Sequence, residues 1–309
     1  MRDRSDGKKG TLYVVATPIG NLMDMTPRAV EVLAEVDLIA AEDTRHSRVL
    51  MNHFQIKTPL YSCHKFNEAE RGAFFVEALL EGKDVALISD AGTPCISDPG
   101  HRLVALAAGA GIEVDTIPGA NAVAAALSIS GFDVSKFVFL GFLPRGAKKV
   151  QEIFNQWRTG SVPMVFYESP RRIEGTLTVL SKSYYDASVC LCNDLTKKFR
   201  RTYRGTPAEV LDEFLENPQA EKGEYTCVLE WSSSPTKHDR QDHPEGDSSS
   251  QLAEAEGASL ESCLVDVMVK QGVTLKEAVE ILRSQNKALR KNEIYGAGLR
   301  LKKLFESSS

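Results

Sequence analysis

A short segment, DAGTPCISDPG from Asp90 to Gly100, combines residue types suited to holding a small polar ligand. Two carboxylates, Asp90 and Asp98, stand among glycines and prolines directly after the apolar run VALIS. Small residues let backbone groups approach a ligand closely, and carboxylates accept hydrogen bonds or attract cations. Because the three spaced glycines of a dinucleotide-binding turn are missing, we expect a different kind of ligand loop. Asp98, just before Pro99, is favoured as the cap of the next helix.

Three further loops resemble this one in character. They are ATPIGN from Ala16 to Asn21, AEDTRHSR from Ala41 to Arg48, and IPGANA from Ile117 to Ala122. Each alone is also explained by local structure: a turn, a helix N-terminus, or close packing of a helix on a sheet. Open parallel sheets bind ligands at the carboxyl ends of their strands, so the four loops together favour a ligand site.

Positive charge is concentrated in the middle of the chain. The whole chain has a net charge of −5, but residues 141–205 contain 12 Lys and Arg against 5 Asp and Glu. The segments YESPRR and LTKKFRRTYRG carry most of the excess, and Phe199 and Tyr203 lie among their cations. Such a run is often only a solvated face, but cations with interleaved aromatic rings also suit phosphate contacts and base stacking.

The common catalytic signatures are missing. GFLPRGAKK has the glycine spacing of a phosphate-binding loop, but Ala147 occupies the position of the lysine. No G-x-S-x-G or H-E-x-x-H occurs, and the 6 histidines and 6 cysteines show no metal spacing. These observations argue against a Walker NTPase, a serine hydrolase and a zinc protease. The cysteines are expected to be reduced core thiols.

The elements that must position these residues alternate along the first 142 residues. Strand-like runs TLYVVA, VDLIAA, VALIS, IEVDTI and FVFLGF are separated by helical patterns. In DMTPRAVEVLAEV, Thr26 is the candidate cap and Pro27 the first helical residue. This alternation predicts right-handed crossovers and a mostly parallel sheet.

The domain prediction is α/β throughout, with a small helical module at the end. An N-terminal α/β domain is expected over 11–142 and a second over 143–231, with strands PMVFYES, SVCLCN and EYTCVLEW; these strands would equally suit an extension of the first sheet. Residues 1–10 are predicted to be disordered, and 232–258 a flexible linker, because both are polar and lack periodicity. The helical module over 259–309 includes the capping box of Thr274 and Glu277.

Composition agrees with a globular protein: 42% of residues are hydrophobic and 26% charged. No run of about 18 apolar residues is present, and MRDRSDGKKG lacks an apolar signal core. We therefore expect a cytoplasmic protein without a membrane partner.

Eight motifs then carry a family resemblance. They are VVATPIGNLMDMTPRA, AEDTRHSRVL, ISDAGTPCISDPG, PGANA, GFLPR, FYESPRR, LTKKFRRTYRGT and KGEYTCVLE. In this order, from Gly10 to Trp231, they resemble the tetrapyrrole methylase (class III methyltransferase) family, and within it the members that methylate ribosomal RNA. The segment near 272–304 resembles the C-terminal helices of those members.

The resemblance implies two α/β domains, a homodimer, and S-adenosylmethionine (SAM) bound in the cleft between the domains without a metal. It implies methyl transfer to the ribose 2′-OH of a cytidine in the decoding region of 16S rRNA, within the small ribosomal subunit. The implied cofactor residues are Pro18, Asp90, Ala91, Gly92, Thr93, Pro94, Cys95, Ile96, Gly119, Ala120, Asn121, Tyr167 and Thr226.

Catalytic and RNA-binding candidates follow from this chemistry. A ribose hydroxyl is a weak nucleophile, so a base or strong acceptor should help to remove its proton. Lys197 or Glu168 is the candidate for that role, and Arg45 is the candidate clamp for phosphate or substrate. The RNA-binding candidates are Arg145, Lys148, Lys149, Arg171, Arg172, Lys198, Arg200, Arg201 and Arg204.

Two other functions fit the same fold. The chain could methylate a tetrapyrrole or another small molecule, although the KKFRR cluster argues against it. It could also be a ribosome-assembly factor that binds RNA without catalysis. Binding of SAM separates the enzymes from the assembly factor, and dependence on RNA separates the two enzymes.

Overall fold

The computed structural model describes residues 8–158 and 162–231, and then 264, 265, 267, 268, 272–285 and 297. The chain divides into two units at Thr236, and each is described by itself.

The first sheet is parallel throughout. Its strands are β1 (Thr11–Val15), β2 (Leu38–Ala41), β3 (Leu60–Ser62), β4 (Val85–Ile88) and β5 (Glu113–Ile117). They lie in the order β3-β2-β4-β1-β5. Its helices are α1 (Pro27–Glu35), α2 (Thr44–His53), α3 (Glu68–Leu80) and α4 (His101–Gly109), and α5 (Ala122–Ser130) follows β5. All four residues of β4 are buried, as expected for a parallel strand covered on both faces.

Two helix starts test the sequence reasoning. Thr26 accepts a hydrogen bond from the backbone N–H of Ala29 at the start of α1, which confirms the predicted cap. The prediction that Asp98 caps α4 is wrong. Gly100 precedes that helix, and the buried carboxylate of Glu68 accepts from the N–H groups of Gly100 and Arg102, at 3.0 and 2.8 Å. A distant residue supplies the cap, which leaves Asp98 free for another role.

The second sheet is separate and mixed. Its strands are β6 (Val138–Phe142), β7 (Met164–Glu168), β8 (Ala187–Asn193), β9 (Arg201–Gly205) and β10 (Tyr225–Trp231), in the order β6-β7-β10-β8-β9. Only the β6–β7 pair is parallel among its pairs. Its helices are α6 (Ala147–Arg158), α7 (Ile173–Ser183) and α8 (Pro207–Leu215). The run FVFLGF therefore belongs to the second sheet, and the change of sheet comes before Val138 rather than after Phe142.

The helix α5 joins the two sheets. It follows the last strand of the first sheet, yet its buried residues Val123, Ala126 and Leu127 pack against Val165 and Val228 of the second sheet. Small residues make this close approach possible, because little side-chain volume separates the helix from the strands. Close packing of a helix on a sheet was one expected explanation for the small residues that begin α5. The structure shows such packing, but against the second sheet.

Strand β9 was missed by sequence reasoning, because its residues Arg201–Gly205 were interpreted only as a basic cluster. Tyr203, expected to stack on bases, is 1% exposed and belongs to the core. Its hydroxyl oxygen accepts a hydrogen bond of 2.7 Å from Nδ2 of the buried Asn217. Phe199, in contrast, is 78% exposed.

The described part of the C-terminal unit contains helix α9 (Leu275–Gln285). The predicted capping box is confirmed: Glu277 Oε2 accepts from the Thr274 N–H at 2.8 Å, and Thr274 Oγ1 accepts from the Glu277 N–H at 3.5 Å. The predicted linker, residues 1–7, and almost all of the chain after Gln285 lie outside the described residues.

Five cysteines lie in the described part of the chain and all are free thiols, four of them buried. Cys263 is outside that part. Among the helices that the structure describes, none is both long and apolar enough to cross a bilayer.

The bond between Tyr203 and Asn217 gives a test of the core assignment. Tyr203→Phe leaves a buried amide donor without its acceptor, so we expect the free energy of unfolding to fall by about 1–3 kcal/mol. Urea denaturation measures the change. Tyr185→Phe is the matched control, because Tyr185 is 80% exposed and should tolerate the change. Equal stability of both variants with the wild type would contradict the assignment.

Candidate active site

A cavity of about 400 Å³ lies between the loops of the two sheets. The first sheet contributes the loops after β1, β2, β4 and β5. The second contributes the ends of β6 and β7, the loop after β8 and the start of β10. The lining residues are Ile19, Glu42, Asp90, Ala91, Gly92, Thr93, Ile96, Asp98, Asn121, Ala122, Phe142, Tyr167, Glu168, Ser169, Pro170, Asp194, Leu195, Glu224, Tyr225 and Thr226. Its volume is in the range of small-molecule sites, roughly 300–1,000 Å³.

Two loops of the first sheet are tied together by their backbones. Thr17 donates its N–H to the Gly92 carbonyl at 2.8 Å, and Gly92 donates to the Thr17 carbonyl at 3.0 Å. Gly92 has a φ of +82°, and a Cβ there would come within 3.2 Å of Ile19 Cγ2. Because other residues rarely adopt this φ and the space is closed, the position needs glycine.

The segment after β4 carries backbone strain. Cys95 and Ser97 have φ values of +69° and +70°, which are unusual for residues other than glycine. Thr93 Oγ1 holds the segment by donating to the Ala120 carbonyl at 3.2 Å, and the Glu68 carboxylate holds its far end. Strain of this kind persists only where neighbours enforce it, and it clusters at ligand sites.

Three carboxylates of the first sheet stand close together in the cavity wall. Asp90 Oδ1 accepts from the Asp43 N–H at 3.1 Å, and the Asp90 N–H donates to Glu42 Oε2 at 3.5 Å. Burial raises the pKa of Glu42, and the charges of Asp98 and Asp90 raise it further. Burial also raises the pKa of Asp98, with Asp90 adding to the rise and a hydrogen bond from Ser89 opposing it. The wall therefore holds negative charge at a cost in free energy.

The cavity as a whole is acidic. Among the described residues that line it, six are acidic and none is lysine or arginine. The acidic residues are Glu42, Asp90, Asp98, Glu168, Asp194 and Glu224. Negative charges in a confined space of low dielectric attract a cation more strongly than exposed charges do. The arrangement is suited to a ligand with positive charge.

An aromatic group forms another part of the wall. Tyr167 contacts Phe139 and Phe142, with ring centroids 5.1 and 5.5 Å away. Burial raises the pKa of Tyr167 to about 12, and the nearby Asp98 contributes to the rise. Tyr167 is therefore a neutral phenol at physiological pH, with an apolar face available to a ligand.

The structure brings together eight of the thirteen expected cofactor residues. Asp90, Ala91, Gly92, Thr93, Ile96, Asn121, Tyr167 and Thr226 line the cavity. The other five, Pro18, Pro94, Cys95, Gly119 and Ala120, do not. Two of these five support the loops: a Cβ on Gly119 would come within 3.0 Å of Ala16 Cβ, and the carbonyl of Ala120 accepts the hydrogen bond from Thr93.

Glu168 lies in the cavity wall, but its carboxylate already has partners within the fold. Oε1 accepts from the Ser169 N–H at 2.9 Å, and Oε2 accepts from Thr176 Oγ1 at 3.2 Å. Arg172 forms an ion pair with it at 3.2 Å. Burial nevertheless raises its pKa, against the opposing effect of these partners. The carboxylate anchors the start of α7.

Lys197 and Arg45 do not line the cavity. Burial lowers the pKa of Lys197, but bonds to Asp194 at 2.7 Å and Glu224 at 3.1 Å outweigh it, and the pKa is raised overall. Lys197 is therefore protonated and cannot accept a proton. The Arg45 side chain is 89% exposed and pairs with Asp43 at 2.7 Å.

The nine expected RNA-binding cations divide into two groups. Arg145, Lys148, Lys149, Arg171, Lys198, Arg200 and Arg201 are exposed and available to a partner. Arg172 donates to the carbonyls of Leu143 and Pro144 at 2.5 and 3.0 Å, and Arg204 donates to the Ile129 carbonyl at 2.6 Å. These two guanidinium groups hold the fold together.

Sequence reasoning missed several lining residues. They are Ile19, Glu42, Asp98, Ala122, Phe142, Ser169, Pro170, Asp194, Leu195, Glu224 and Tyr225. Most of them lie next to the end of a strand that the sequence pattern predicted. Their position after those strands could therefore have identified them as lining residues. For Glu224 and Tyr225 the available signal was the motif KGEYTCVLE, in which the neighbouring Thr226 was an expected cofactor residue; antiparallel pairing brings this start of β10 beside the end of β7.

The raised pKa of Asp98 makes a prediction about stability. A carboxyl with a higher pKa in the folded state than in the unfolded state binds its proton more tightly in the fold. Stability therefore falls as the pH rises from the ordinary pKa through the raised one, and the loss persists at neutral pH. Asp98→Asn removes the charge, so we expect the ligand-free variant to unfold at a higher urea concentration at pH 7. The difference should narrow toward acid pH.

Asp212→Asn is the control for this prediction, because Asp212 is exposed on α8 and outside the cavity wall. A variant Asp98→Asn that is no more stable than the wild type at pH 7 would contradict the prediction. It would show that the Ser89 hydrogen bond compensates the buried charge.

Comparisons with known proteins agree with this geometry. The sequence profile of the Tetrapyrrole (Corrin/Porphyrin) Methylases matches residues 11–211. A protein of Haemophilus influenzae named ribosomal RNA small subunit methyltransferase I is 39% identical over 298 residues, covering 94% of this chain and 96% of its own. A protein of the same name from Halalkalibacterium halodurans is 45% identical over 222 residues, covering 72% and 76%.

Among solved structures, uroporphyrin-III C-methyl transferase from Thermus thermophilus, complexed with S-adenosylhomocysteine, superposes with a TM-score of 0.50 at 15% identity. It covers 72% of this chain and 97% of its own, which is evidence for a shared fold. The matched profile covers the whole first sheet and strands β6 to β9 of the second. The chain belongs to the tetrapyrrole methylase family, as a relative of the ribosomal RNA small subunit methyltransferase I proteins.

Proposed function

We propose that this protein transfers a methyl group from SAM to ribosomal RNA. The observation that carries the proposal is the acidic cavity between the two sheets, in a chain whose sequence relatives are named as methyltransferases of small-subunit ribosomal RNA. SAM is a cation at its sulfonium and at its amino group. A wall of carboxylates without lysine or arginine among its described residues is suited to that charge.

The residues of the cavity fit this cofactor. Glu42, Asp90 and Asp98 would face the positive charge of SAM. Gly92 has no side chain, so the backbone of its loop would lie close to the cofactor. Tyr167 and Ile96 offer apolar surface for the uncharged part of the ligand. A solved family member was obtained with S-adenosylhomocysteine, the demethylated product of SAM.

When bound, SAM supplies an activated methyl group with a good leaving group. The protein therefore has to align the nucleophile with the methyl group and exclude water from them, and it does not have to activate the methyl group. The hydrogen bond that Thr93 donates and the one that Glu68 accepts hold the strained segment after β4 and keep the wall rigid, which preserves that alignment. A hydroxyl nucleophile must still lose a proton. Glu42 and Asp98, with raised pKa values, are stronger bases than ordinary carboxylates, whereas Lys197 is protonated.

The finer proposal is that the target is the ribose 2′-OH of a cytidine in the decoding region of 16S rRNA. The ordered sequence motifs support it, and the names of the relatives support the coarser statement that the substrate is small-subunit ribosomal RNA. Exposed cations beside the second sheet would contact phosphates within the small ribosomal subunit. We propose further that the protein acts as a homodimer in the cytoplasm, where this substrate is assembled.

A small-molecule methylase is the second candidate. The observation that favours it is the fold shared with a protein named uroporphyrin-III C-methyl transferase. A porphyrinogen substrate would make the reaction independent of RNA, and the exposed cluster of Lys198, Arg200 and Arg201 would then have no substrate to bind.

The decisive experiment measures transfer of tritiated methyl groups from SAM to purified 30S subunits, naked 16S rRNA and a porphyrinogen. We expect incorporation into RNA, and mass spectrometry of nuclease fragments should show one 2′-O-methylcytidine. A deletion strain should lack that single modification. Incorporation into the porphyrinogen alone would favour the small-molecule methylase. No heat on titrating millimolar SAM would favour the non-enzymatic binder.

The exposed cations make a further prediction. Replacing Arg200 and Arg201 together by alanine should weaken RNA binding and reduce the slope of log K against log salt, by up to about 2 for two lost phosphate contacts. Filter binding at several salt concentrations measures both quantities. Affinity for SAM should be unchanged, because neither residue lines the cavity.

A matched double variant, Lys57→Ala with Lys136→Ala, removes two exposed cations elsewhere on the surface. It should leave the salt slope close to that of the wild type. Equal slopes for both double variants would contradict the assignment of Arg200 and Arg201 to RNA.

A further inference from the structure

Phe142 is a large apolar side chain that lines the cavity and is nevertheless 59% exposed. Single exposed apolar residues are ordinary on protein surfaces and need no explanation. The position of this one is different, because the same ring faces both the cavity and the solvent. It therefore lies at the mouth of the proposed active site.

A β-bulge directs this side chain. The pairing of β6 with β7 shifts register between Phe139 and Phe142, where Gly141 has a φ of +61°. A Cβ on Gly141 would come within 3.0 Å of Ser97 Oγ, so the bulge lies directly against the strained segment after β4. Bulges next to active sites commonly turn a side chain toward the ligand.

The two residues that follow Phe142 in the sequence hold it in place. Leu143 is 2% exposed, and Arg172 donates to the carbonyls of Leu143 and Pro144 at 2.5 and 3.0 Å. The ring of Tyr167 supports Phe142 from within the cavity, with centroids 5.5 Å apart and planes inclined by 58°. The exposed ring is thus held by a bulge, by anchored carbonyls and by a second ring.

Charge divides the surroundings of this ring in two. The cavity wall is acidic, so it repels the phosphates of an RNA. Exposed cations follow Phe142 directly in sequence at Arg145, Lys148 and Lys149, around the start of α6. A nucleotide that offers its ribose to the cavity must therefore keep its phosphates outside, and its base must lie at the boundary between the two regions.

We propose that Phe142 stacks on the base of the target nucleotide and so positions its ribose at the cavity. The inference rests on the proposed function and adds a residue that binds the substrate directly. Proteins that recognise single-stranded RNA stack its splayed-out bases on aromatic side chains, and such a ring replaces the stacking contact that the base has lost. Because every base has a π face, this contact holds the base without identifying it.

The test is a double-mutant cycle. The wild-type reaction first identifies the methylated nucleotide by mass spectrometry, and RNA is then prepared with the normal base or with an abasic site at that nucleotide. Phe142→Ala should weaken binding of the normal RNA by about 5- to 150-fold, the range expected for one lost stacking contact. It should leave binding of the abasic RNA unchanged, since the partner of the ring is already missing.

Three further readouts separate stacking from other roles. The slope of log K against log salt should be unchanged, because no phosphate contact is lost. Phe142→Trp should restore binding and Phe142→Leu should not, since only the first keeps an aromatic face. The matched control is Phe137→Ala, which removes a ring that is 47% exposed and outside the cavity wall.

Several outcomes would overturn the inference. They are an equal loss of affinity for both RNAs, or a change in the oligomeric state of Phe142→Ala by analytical ultracentrifugation. An active wild type with an equally active and tight-binding Phe142→Ala overturns this inference alone. A wild type that transfers no methyl group to RNA overturns the proposed function and this inference with it.

Discussion

The cavity depends on one packing interaction, in which α5 leaves the first sheet and lies on the second. Val123, Ala126 and Leu127 bury their side chains against strands β7, β8 and β10. A helix that crosses from one sheet to the other fixes the distance between them, because packed interiors deform very little. The loops at the strand ends of both sheets are thereby held around one space, and no single loop could form that space alone.

The buried carboxylates that line this cavity lower the stability of the ligand-free protein. Buried carboxylates with raised pKa values cost free energy in the fold, and a cationic ligand recovers part of that cost when it binds. Cations neutralise three other carboxylates of the wall: Lys197 pairs with Asp194 and Glu224, and Arg172 pairs with Glu168. The remaining three are Glu42, Asp90 and Asp98. An acidic interior beside a basic exterior separates a cationic cofactor from an anionic substrate.

Several charged residues that have the types expected for catalysis or RNA contact instead hold loops in place. Glu68 caps α4 from another helix, and Glu168 anchors the start of α7. Arg204 binds the Ile129 carbonyl near the end of α5 and so supports the contact between that helix and the second sheet. Rigid loops of this kind are a condition for alignment in the proposed methyl transfer, because small displacements of the reacting groups cost rate.

The sequence by itself determined the parallel first sheet, the cap of α1 at Thr26, and most of the loops that line the cavity. These features are local: they depend on hydrophobic period, capping chemistry and the residues that follow a strand. The family resemblance implied thirteen cofactor residues, and eight of them line the cavity. The basic character of the exposed cations at Arg200 and Arg201 was also evident from composition.

Only the tertiary structure decided which sheet FVFLGF joins and that Tyr203 belongs to the core. It also decided that Asp98 lines the cavity, while Glu68 caps α4. It further decided that the guanidinium groups of Arg172 and Arg204 bind backbone carbonyls of the fold, and that Phe142 stands at the mouth of the site. The physical reason is the same in each case. The residues next to a strand or a charged side chain in the sequence do not indicate which partner it will contact. The partners here are far apart in the sequence and are brought together by packing.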